Sequence, residues 1–384
     1  MVQPSHPHGT PSLVEGDVSA TSADSSQEIA APPHLGALES LRLRAHRFAK
    51  RHGHKLWWLH STYAFALGLT VVFFARKGYD HARWLAVSVG LAWLLVVFFF
   101  RVFGSGSREQ GYATAASGGR LRFLVMTYVL KNLYQGMLFF LLPFYWQSAT
   151  LDSSHGWFLG LLGTCALLST MDVIFDRIVM RWRVLASVFH AFILFGTLDL
   201  ILPAFLHDTS AVITLSAAAG ISTAAFWTLH VPFSAFREKT FLAVFFASIA
   251  AASGSAFALR RAFPPVPMHV AHGAVGPAVL PDGRLTMEVD RVHHSVVSTL
   301  VAVTDVTVPT GRGDRLIHVW RHDARDVYVA RGEALAHREM GTMLRLRSAL
   351  PPESMSASLV GQWTVDVETE GGQLVGRVRF AVDP

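Results

Sequence analysis

The sequence is short of charged residues and of cysteine, and each shortage excludes a class of protein or site. Charged side chains make up 16% of the 384 residues, whereas a soluble domain carries about 25%. The single cysteine, Cys165, excludes an intrachain disulfide and a metal site built from cysteines. Because hydrophobic residues make up 51% of the chain and the mean hydropathy is +0.36, the composition indicates a membrane protein.

Apolar stretches follow a polar start. Residues 1–40 lack lysine and arginine and hold few large apolar residues, so a disordered cytoplasmic tail is predicted. Residues 41–261 contain seven apolar stretches, each able to cross a bilayer core of about 30 Å as a helix. The predicted spans are 56–75, 84–100, 123–146, 156–175, 184–206, 211–233 and 240–259.

Basic residues concentrate in alternate loops of this region, which predicts its orientation. They precede the first span and follow spans two, four and six, whereas the other loops hold only Arg76, Lys77 and Arg83. The N-terminus is therefore expected in the cytoplasm, and seven spans would place the C-terminus outside. Arg260 and Arg261 are a contrary signal, because they close the last span on the outer side.

The basic excess is interpreted as orientation by loop charge and not as nucleic-acid binding. The preference for arginine over lysine is typical of a high-GC bacterial genome.

Small residues recur every fourth position in the last two spans, a spacing that lets helix backbones approach closely. We therefore expect these spans to pack against each other or against a neighbour. The residues are Ser216, Gly220 and Ala224 in span six and Ala243, Ala247, Ala251 and Ser255 in span seven.

The pattern changes at "FPPVPM". Its prolines disfavour helix, so residues 262–268 are predicted to be an extended linker. From 269 to 384, segments such as "RLIHVWRH" and "LVGRVRFAV" alternate polar with apolar residues or are rich in valine. These segments predict an all-β sandwich, placed in the periplasm by the predicted orientation. "ETEGGQLV" predicts a hairpin with its turn at Gly371-Gly372.

Polar residues interrupt the third, fourth and fifth predicted spans. Lys131 would lie roughly 12 Å from the cytoplasmic end of span three, Asp172 about 6 Å and His190 about 9 Å from the same side. A charge at this depth is costly, so it faces protein and has a partner. We therefore predict that Lys131 pairs with Asp172. The full predicted cluster is Lys131, Asn132, Gln135, Asp172, Asp176 and His190.

Three interpretations of this cluster stay open. It is a buried network that fixes helix register, or it lines a path for an ion, a proton or a small ligand. In the third interpretation Asp172 and Asp176 are interfacial and pair with Arg177 or water.

The C-terminal domain shows no catalytic or metal-binding pattern. His318, Trp320 and His322 share one strand face, but the two histidines would lie about 13 Å apart, too far to share a zinc ion. Arginines alternate with apolar residues in two strands and form a candidate anion-binding strip for phosphate, a carboxylated sugar or lipid headgroups. The alternative is a solvated face paired with Asp366 and Glu368. The arginines are Arg345, Arg347, Arg377 and Arg379.

Two stretches resemble known proteins. "YVLKNLYQGMLFFLLPFYWQSAT", 128–150, resembles a segment of uncharacterised multi-pass bacterial inner-membrane proteins, and residues 316–382 resemble a small C-terminal domain of unknown function. That domain shows a His-x-Trp opening, an Arg-x-Arg strand and a closing Gly-x-Trp-x-Val hairpin. Here these are His318 with Trp320, Arg345 with Arg347, and Gly361, Trp363 and Val365. In the family aromatic residues flank the central arginines, whereas this chain has Leu344 and Leu346. The resemblance implies no activity.

The sequence thus predicts an inner-membrane protein that anchors a periplasmic sensing, binding or scaffold domain for an envelope ligand or protein partner. The alternative is a transporter or proton-coupled channel that uses the intramembrane cluster. A third class is an intramembrane enzyme that acts on a lipid-linked substrate. No catalytic residue, cofactor, metal or nucleic-acid partner is predicted.

Overall fold

The computed structural model describes the chain from residue 117 onward, with short gaps. The described residues are 117–171, 174–179, 182–206, 209–231, 233–308, 314–330, 334–335, 343–355 and 359–384, and side chains are described from Lys131. The predicted tail 1–40 and the predicted spans 56–75 and 84–100 lie outside these residues.

In the part of the chain that the structure describes, five long helices come first. They are α1 (Ser117–Ser148), α2 (His155–Thr170), α3 (Arg183–Phe205), α4 (Ala211–His230) and α5 (Lys239–Ala258). A π-helical turn, Phe175–Val179, lies between α2 and α3. Long apolar segments form helices because a helix satisfies its own backbone hydrogen bonds.

The prediction of seven spans is not supported. Within the described residues, three helical segments are long and apolar enough to cross a membrane: Val184–Pro203, Ala211–His230 and Lys239–Ala258. The predicted span 156–175 is cut short because Met171 turns extended after Thr170. In α1, the polar residues Lys131, Asn132 and Gln135 lower the hydropathy of an otherwise apolar helix.

The last two helices pack together where α4 carries its small residues. A Cβ on Gly220 would lie 2.8 Å from Ser253 Oγ, so α5 approaches α4 at its glycine, and Ser253 Oγ donates to the Ser216 carbonyl at 3.0 Å. The expected row on α5, however, is exposed: Ala243, Ala247, Ala251 and Ser255. The helices therefore pair as predicted, but α5 uses its Ser248, Ile249 and Ser253 face, which offers hydrogen-bonding groups to α4.

Among the described residues, nine strands follow the helices and form two sheets, so the predicted order of helices and then a β region is confirmed. The strands are β1 (His269–Gly276), β2 (Arg291–His293), β3 (Val301–Thr307), β4 (Leu316–His322), β5 (Arg325–Ala330), β6 (Ala334–Leu335), β7 (Met343–Ala349), β8 (Gly361–Thr369) and β9 (Leu374–Asp383). One sheet has the order β1-β3-β7-β6 and the other β2-β9-β8-β4-β5. The predicted hairpin joins β8 to β9, and Gly372 adopts a φ of +84°, a conformation that favours glycine.

The two sheets pack face to face around two apolar clusters. One contains Trp320, Trp363 and Phe380. The other contains Met268 and Leu316, together with Ala211 from the start of α4. The core of the β domain therefore includes a residue of the helical bundle.

The proline-rich segment between helices and strands is packed inside the protein. Phe263, Val266 and Met268 are buried. The Phe263 ring makes edge-to-face contacts with Trp157 and Phe158, at centroid distances of 5.7 and 5.2 Å. The prolines thus prevent a helix here, as predicted, but the segment wedges between bundle and β domain.

Candidate functional site

The structure buries most of the predicted intramembrane cluster that it describes. Lys131, Gln135 and His190 are each at least 97% buried, and Asn132 is half-buried. Asp172 lies outside the described residues. Asp176 belongs to the π-helical turn, but its side chain is not described, so the Lys131–Asp172 pair stays a prediction.

A tyrosine that the sequence analysis missed joins this cluster. Tyr134 Oη and His190 Nδ1 lie 2.8 Å apart in a buried hydrogen bond between α1 and α3. The rings of Phe175 and Phe189 surround Tyr134, at centroid distances of 6.4 and 5.7 Å. The sequence spacing could have identified Tyr134, because it lies three residues after Lys131, on the same helix face.

A second polar layer lies nearer the end of the bundle that contacts the β domain, which we call the β-facing end. The Tyr145 hydroxyl lies 2.9 Å from Asp199 Oδ2 and 3.0 Å from the Gly196 carbonyl. Asp199 follows His190 by nine residues on α3, a rise of about 13 Å. Between the layers, Leu138, Leu141 and Ile193 are fully buried. The bundle thus holds two polar layers with apolar packing between them.

Two atoms near the first layer stand out for their hydrogen bonding. His190 Nε2 and Ser187 Oγ are buried and have no hydrogen-bond partner among the described residues. Because leaving a buried polar atom without a partner is costly, these atoms mark a place where a small hydrogen-bonding species would be stabilised.

In the β domain, His318 forms a buried network between the two sheets. Its Nε2 lies 2.8 Å from Thr304 Oγ1 and its Nδ1 lies 2.7 Å from Ser348 Oγ, while Trp320 Nε1 donates to Ser348 Oγ at 2.9 Å. Burial lowers the pKa of His318 from 6.5 to about 4, so the imidazole is neutral at pH 7. This network gives the His-x-Trp pattern a structural role. Among the described residues, no group of histidine, cysteine and acidic side chains could hold a metal ion.

The four predicted arginines lie in two pairs, one on each sheet. Arg345 and Arg347 are on β7, Arg377 and Arg379 on β9. Arg345 donates to both carboxylate oxygens of Asp305 at 2.6 and 2.8 Å, whereas Arg347 is exposed. Their anion-binding role stays a prediction.

Alternating charges run across the five-stranded sheet to the helical bundle. From the edge strand inward, Asp326 accepts from Arg321 at 2.6 Å, and Arg321 also donates to Asp366. Asp366 further accepts from Arg377 at 2.6 and 2.7 Å. Arg377 lies 3.7 Å from Asp152, in the loop between α1 and α2. We call this set the charge ladder.

Two arginines in the charge ladder have raised pKa values. For Arg321, burial opposes the charge, but the hydrogen bond to Glu368 and the charge of Asp366 outweigh it and raise the pKa. For Arg377, the hydrogen bond to Asp366 raises the pKa. Both guanidinium groups are therefore charged at neutral pH. Sequence analysis missed Arg321, because only the pairing of β4 with β8 brings it to Asp366 and Glu368.

Two further helix ends bind the β domain. Asp314, just before β4, accepts from the Ala211 backbone N–H with both oxygens, at 2.9 and 3.2 Å. Arg260, just after α5, donates to the Gly371 carbonyl in the β8–β9 turn. With Asp152 in the loop between α1 and α2, three separate connections of the bundle contact the β domain at one end.

The bond from Asp314 predicts a specific loss of helix stability. Ser210, the residue before α4, makes no side-chain cap, so Asp314→Ala removes the side-chain acceptor of Ala211 and should destabilise the first turn by about 1 kcal/mol. Hydrogen exchange of the full chain in detergent should show faster exchange for residues 211–214. Asp314→Asn keeps an acceptor and should lose less; equal loss in both variants would contradict capping.

A comparison with known proteins gives a family without an assigned activity. The model of a family of unknown function, DUF5924, matches residues 38–297, more than half of the chain. No curated protein and no solved structure matches. The match covers the stretch 128–150, whose resemblance to an uncharacterised family it supports, whereas 316–382 lies beyond it.

Proposed function

The chain belongs to the DUF5924 family of unknown function, and we propose that it is a multi-pass protein of the bacterial inner membrane. In this proposal its helices anchor a β domain that senses or binds an envelope ligand or protein partner, or acts as a scaffold, in the periplasm. The proposal includes no catalytic reaction, cofactor or nucleic-acid partner.

The observation that carries the proposal is the attachment of the β domain to the bundle. Contacts from Asp152, Ala211 and Arg260 all meet it at the β-facing end. Because these residues belong to three different helix connections, the domain is held over the bundle and does not hang from a flexible linker. A change at the β domain would therefore reach several helices together, which suits a sensing role.

Exposed aromatic residues support the membrane location. Trp146 ends α1, Trp157 begins α2 and Trp182 precedes α3, and all three are at least half exposed. Tryptophan at helix ends is typical of membrane interfaces. Exposed apolar side chains on the helix faces, such as Ile213, Val244 and Phe246, would contact lipid.

The transporter or proton-coupled channel stays a second candidate because of the bundle interior. His190 Nε2 and Ser187 Oγ offer buried hydrogen-bonding atoms. The apolar layer of Leu138, Leu141 and Ile193 is fully buried, so a path would require these side chains to separate.

Cysteine labelling tests the proposed membrane orientation. In a Cys165→Ala background, which has no other cysteine, Gln362→Cys places a thiol on the exposed surface of the β domain, and Ser234→Cys places one between α4 and α5. A membrane-impermeant maleimide should label Gln362→Cys in cells with a permeabilised outer membrane, and Ser234→Cys only after lysis. The reverse pattern would overturn the orientation, and recovery in the soluble fraction would overturn the membrane location.

A further inference from the structure

At the β-facing end, two arginines are more exposed than the carboxylates that pair with them. The side chains of Arg261 and Arg379 are 65% and 58% exposed, whereas Glu368, which faces Arg261, is 7% exposed and Asp152, which pairs with Arg379, is 31% exposed. Glu368 also serves the buried Arg321, at 2.7 Å. An approaching anion would therefore meet guanidinium groups first.

One loop holds both arginines at the edge of the bundle. Asp152 pairs with Arg379, and Ser154 Oγ donates to the backbone carbonyl of Arg261 at 3.0 Å. The same segment exposes Leu151 and, at the start of α2, Trp157. Arginine beside exposed tryptophan and leucine at a helix end matches the boundary between headgroups and hydrocarbon.

The two arginines after α5 differ in what they bind. Arg260 donates to the carbonyls of Gly371 and Phe257 and lies over the Phe257 ring. Arg261 makes an ion pair of 3.9 Å with Glu368, beyond hydrogen-bonding distance. Because a guanidinium group carries five N–H donors, Arg261 can bind a second anion while it keeps this ion pair.

We propose that Arg261 and Arg379, with Trp157 beside them, bind the phosphate group of an anionic phospholipid in the outer leaflet. Guanidinium binds phosphate with paired, charge-assisted hydrogen bonds, and the indole packs against the glycerol and upper acyl region. The inference rests on the proposed membrane orientation. It gives the exposed Arg379 a second partner beside Asp152 and leaves Arg377 to its carboxylates.

The test uses full-length protein in nanodiscs of phosphatidylcholine with or without phosphatidylglycerol. Spin-labelled phosphatidylglycerol reports its affinity for the protein surface. We expect Arg261→Gln/Arg379→Gln to weaken this affinity roughly 10- to 30-fold. Arg284→Gln, which removes an exposed arginine whose ion pair with Asp282 is 3.8 Å long, should leave affinity unchanged. Arg261→Gln alone, which removes only a 3.9 Å ion pair, should weaken it by about fivefold and keeps the test valid if the double variant misfolds.

Each result bears on the proposal. Unchanged affinity in the variants of Arg261 and Arg379, or equal loss in Arg284→Gln, overturns the site. Displacement of the labelled lipid by millimolar inorganic phosphate shows that the site takes free phosphate and overturns the assignment to lipid. Failure of the wild-type chain to enter nanodiscs contradicts the membrane location instead and is distinct from the other outcomes.

Discussion

Asp366→Asn is expected to destabilise the β domain by about 3–5 kcal/mol, the cost of breaking a buried ion pair. The Asp366 side chain is fully buried and accepts hydrogen bonds from both Arg321 and Arg377. Asparagine has nearly the same volume, so it leaves no cavity. However, its amide cannot accept at both positions, and it leaves two buried guanidinium groups with too little negative charge.

The matched control is Asp326→Asn, which makes the same chemical change to another partner of Arg321. Asp326 is 56% exposed, and solvent screens its ion pair, so we expect a loss below about 1 kcal/mol. Hydrogen exchange of the β8 and β9 amides in the full chain measures both variants without interference from the helices. If the two substitutions cost the same, the charge ladder does not stabilise the sheet.

The second large effect is a loss of stability in acid that depends on His318. Above pH 6.5 the imidazole is neutral in the folded and the unfolded chain, so its titration does not change the free energy of unfolding. Below that pH the unfolded chain binds a proton that the folded chain refuses until about pH 4, so the free energy of unfolding falls as pH falls. The gap corresponds to roughly 3 kcal/mol, at about 1.36 kcal/mol for each pKa unit.

Comparison with His318→Gln isolates this effect. Glutamine does not titrate. The other histidines are the same in both proteins, so their contributions to the pH dependence of stability cancel in the comparison. The variant should be less stable at pH 7, because it disturbs the bonds to Thr304 and Ser348, but its stability should fall by roughly 3 kcal/mol less between pH 7 and 4. Unfolding by denaturant at several pH values checks this. Parallel curves for the two proteins would falsify a neutral His318.

Local patterns predicted the last three helices and the β8–β9 hairpin well. The predicted spans 184–206, 211–233 and 240–259 lie close to α3, α4 and α5. A continuous apolar segment forms a helix because a helix satisfies its backbone hydrogen bonds internally. The hairpin at Gly371-Gly372 was predictable for a similar reason, since turn residues act locally.

Features that depend on distant partners could not be predicted. In the π-helical turn after α2, Phe175 packs against Tyr134 and Phe189, which lie on two other segments of the chain. The α5 face that meets α4 depends on Ser253 and Ile249 reaching Gly220, which spacing alone does not show.

The candidate sites follow the same division. The burial of Lys131 could be predicted from the sequence, because a charged side chain in an apolar helix is costly unless it faces protein. The roles of Tyr134 and Tyr145 depend on His190 and Asp199, more than fifty residues away. In the β domain, alternation placed Arg377 on the polar face of its strand, but only the strand order brings it between Asp366 and Asp152.

The bond from Asp314 to the Ala211 N–H has a consequence for biogenesis. The acceptor is made about a hundred residues after the helix it completes. During synthesis α4 therefore leaves the ribosome before the carboxylate that accepts from its first amide has been made, and in the proposed orientation the chain that supplies this carboxylate must first cross the membrane. In that proposed orientation, translocation of the C-terminal region is a step in assembling the helices.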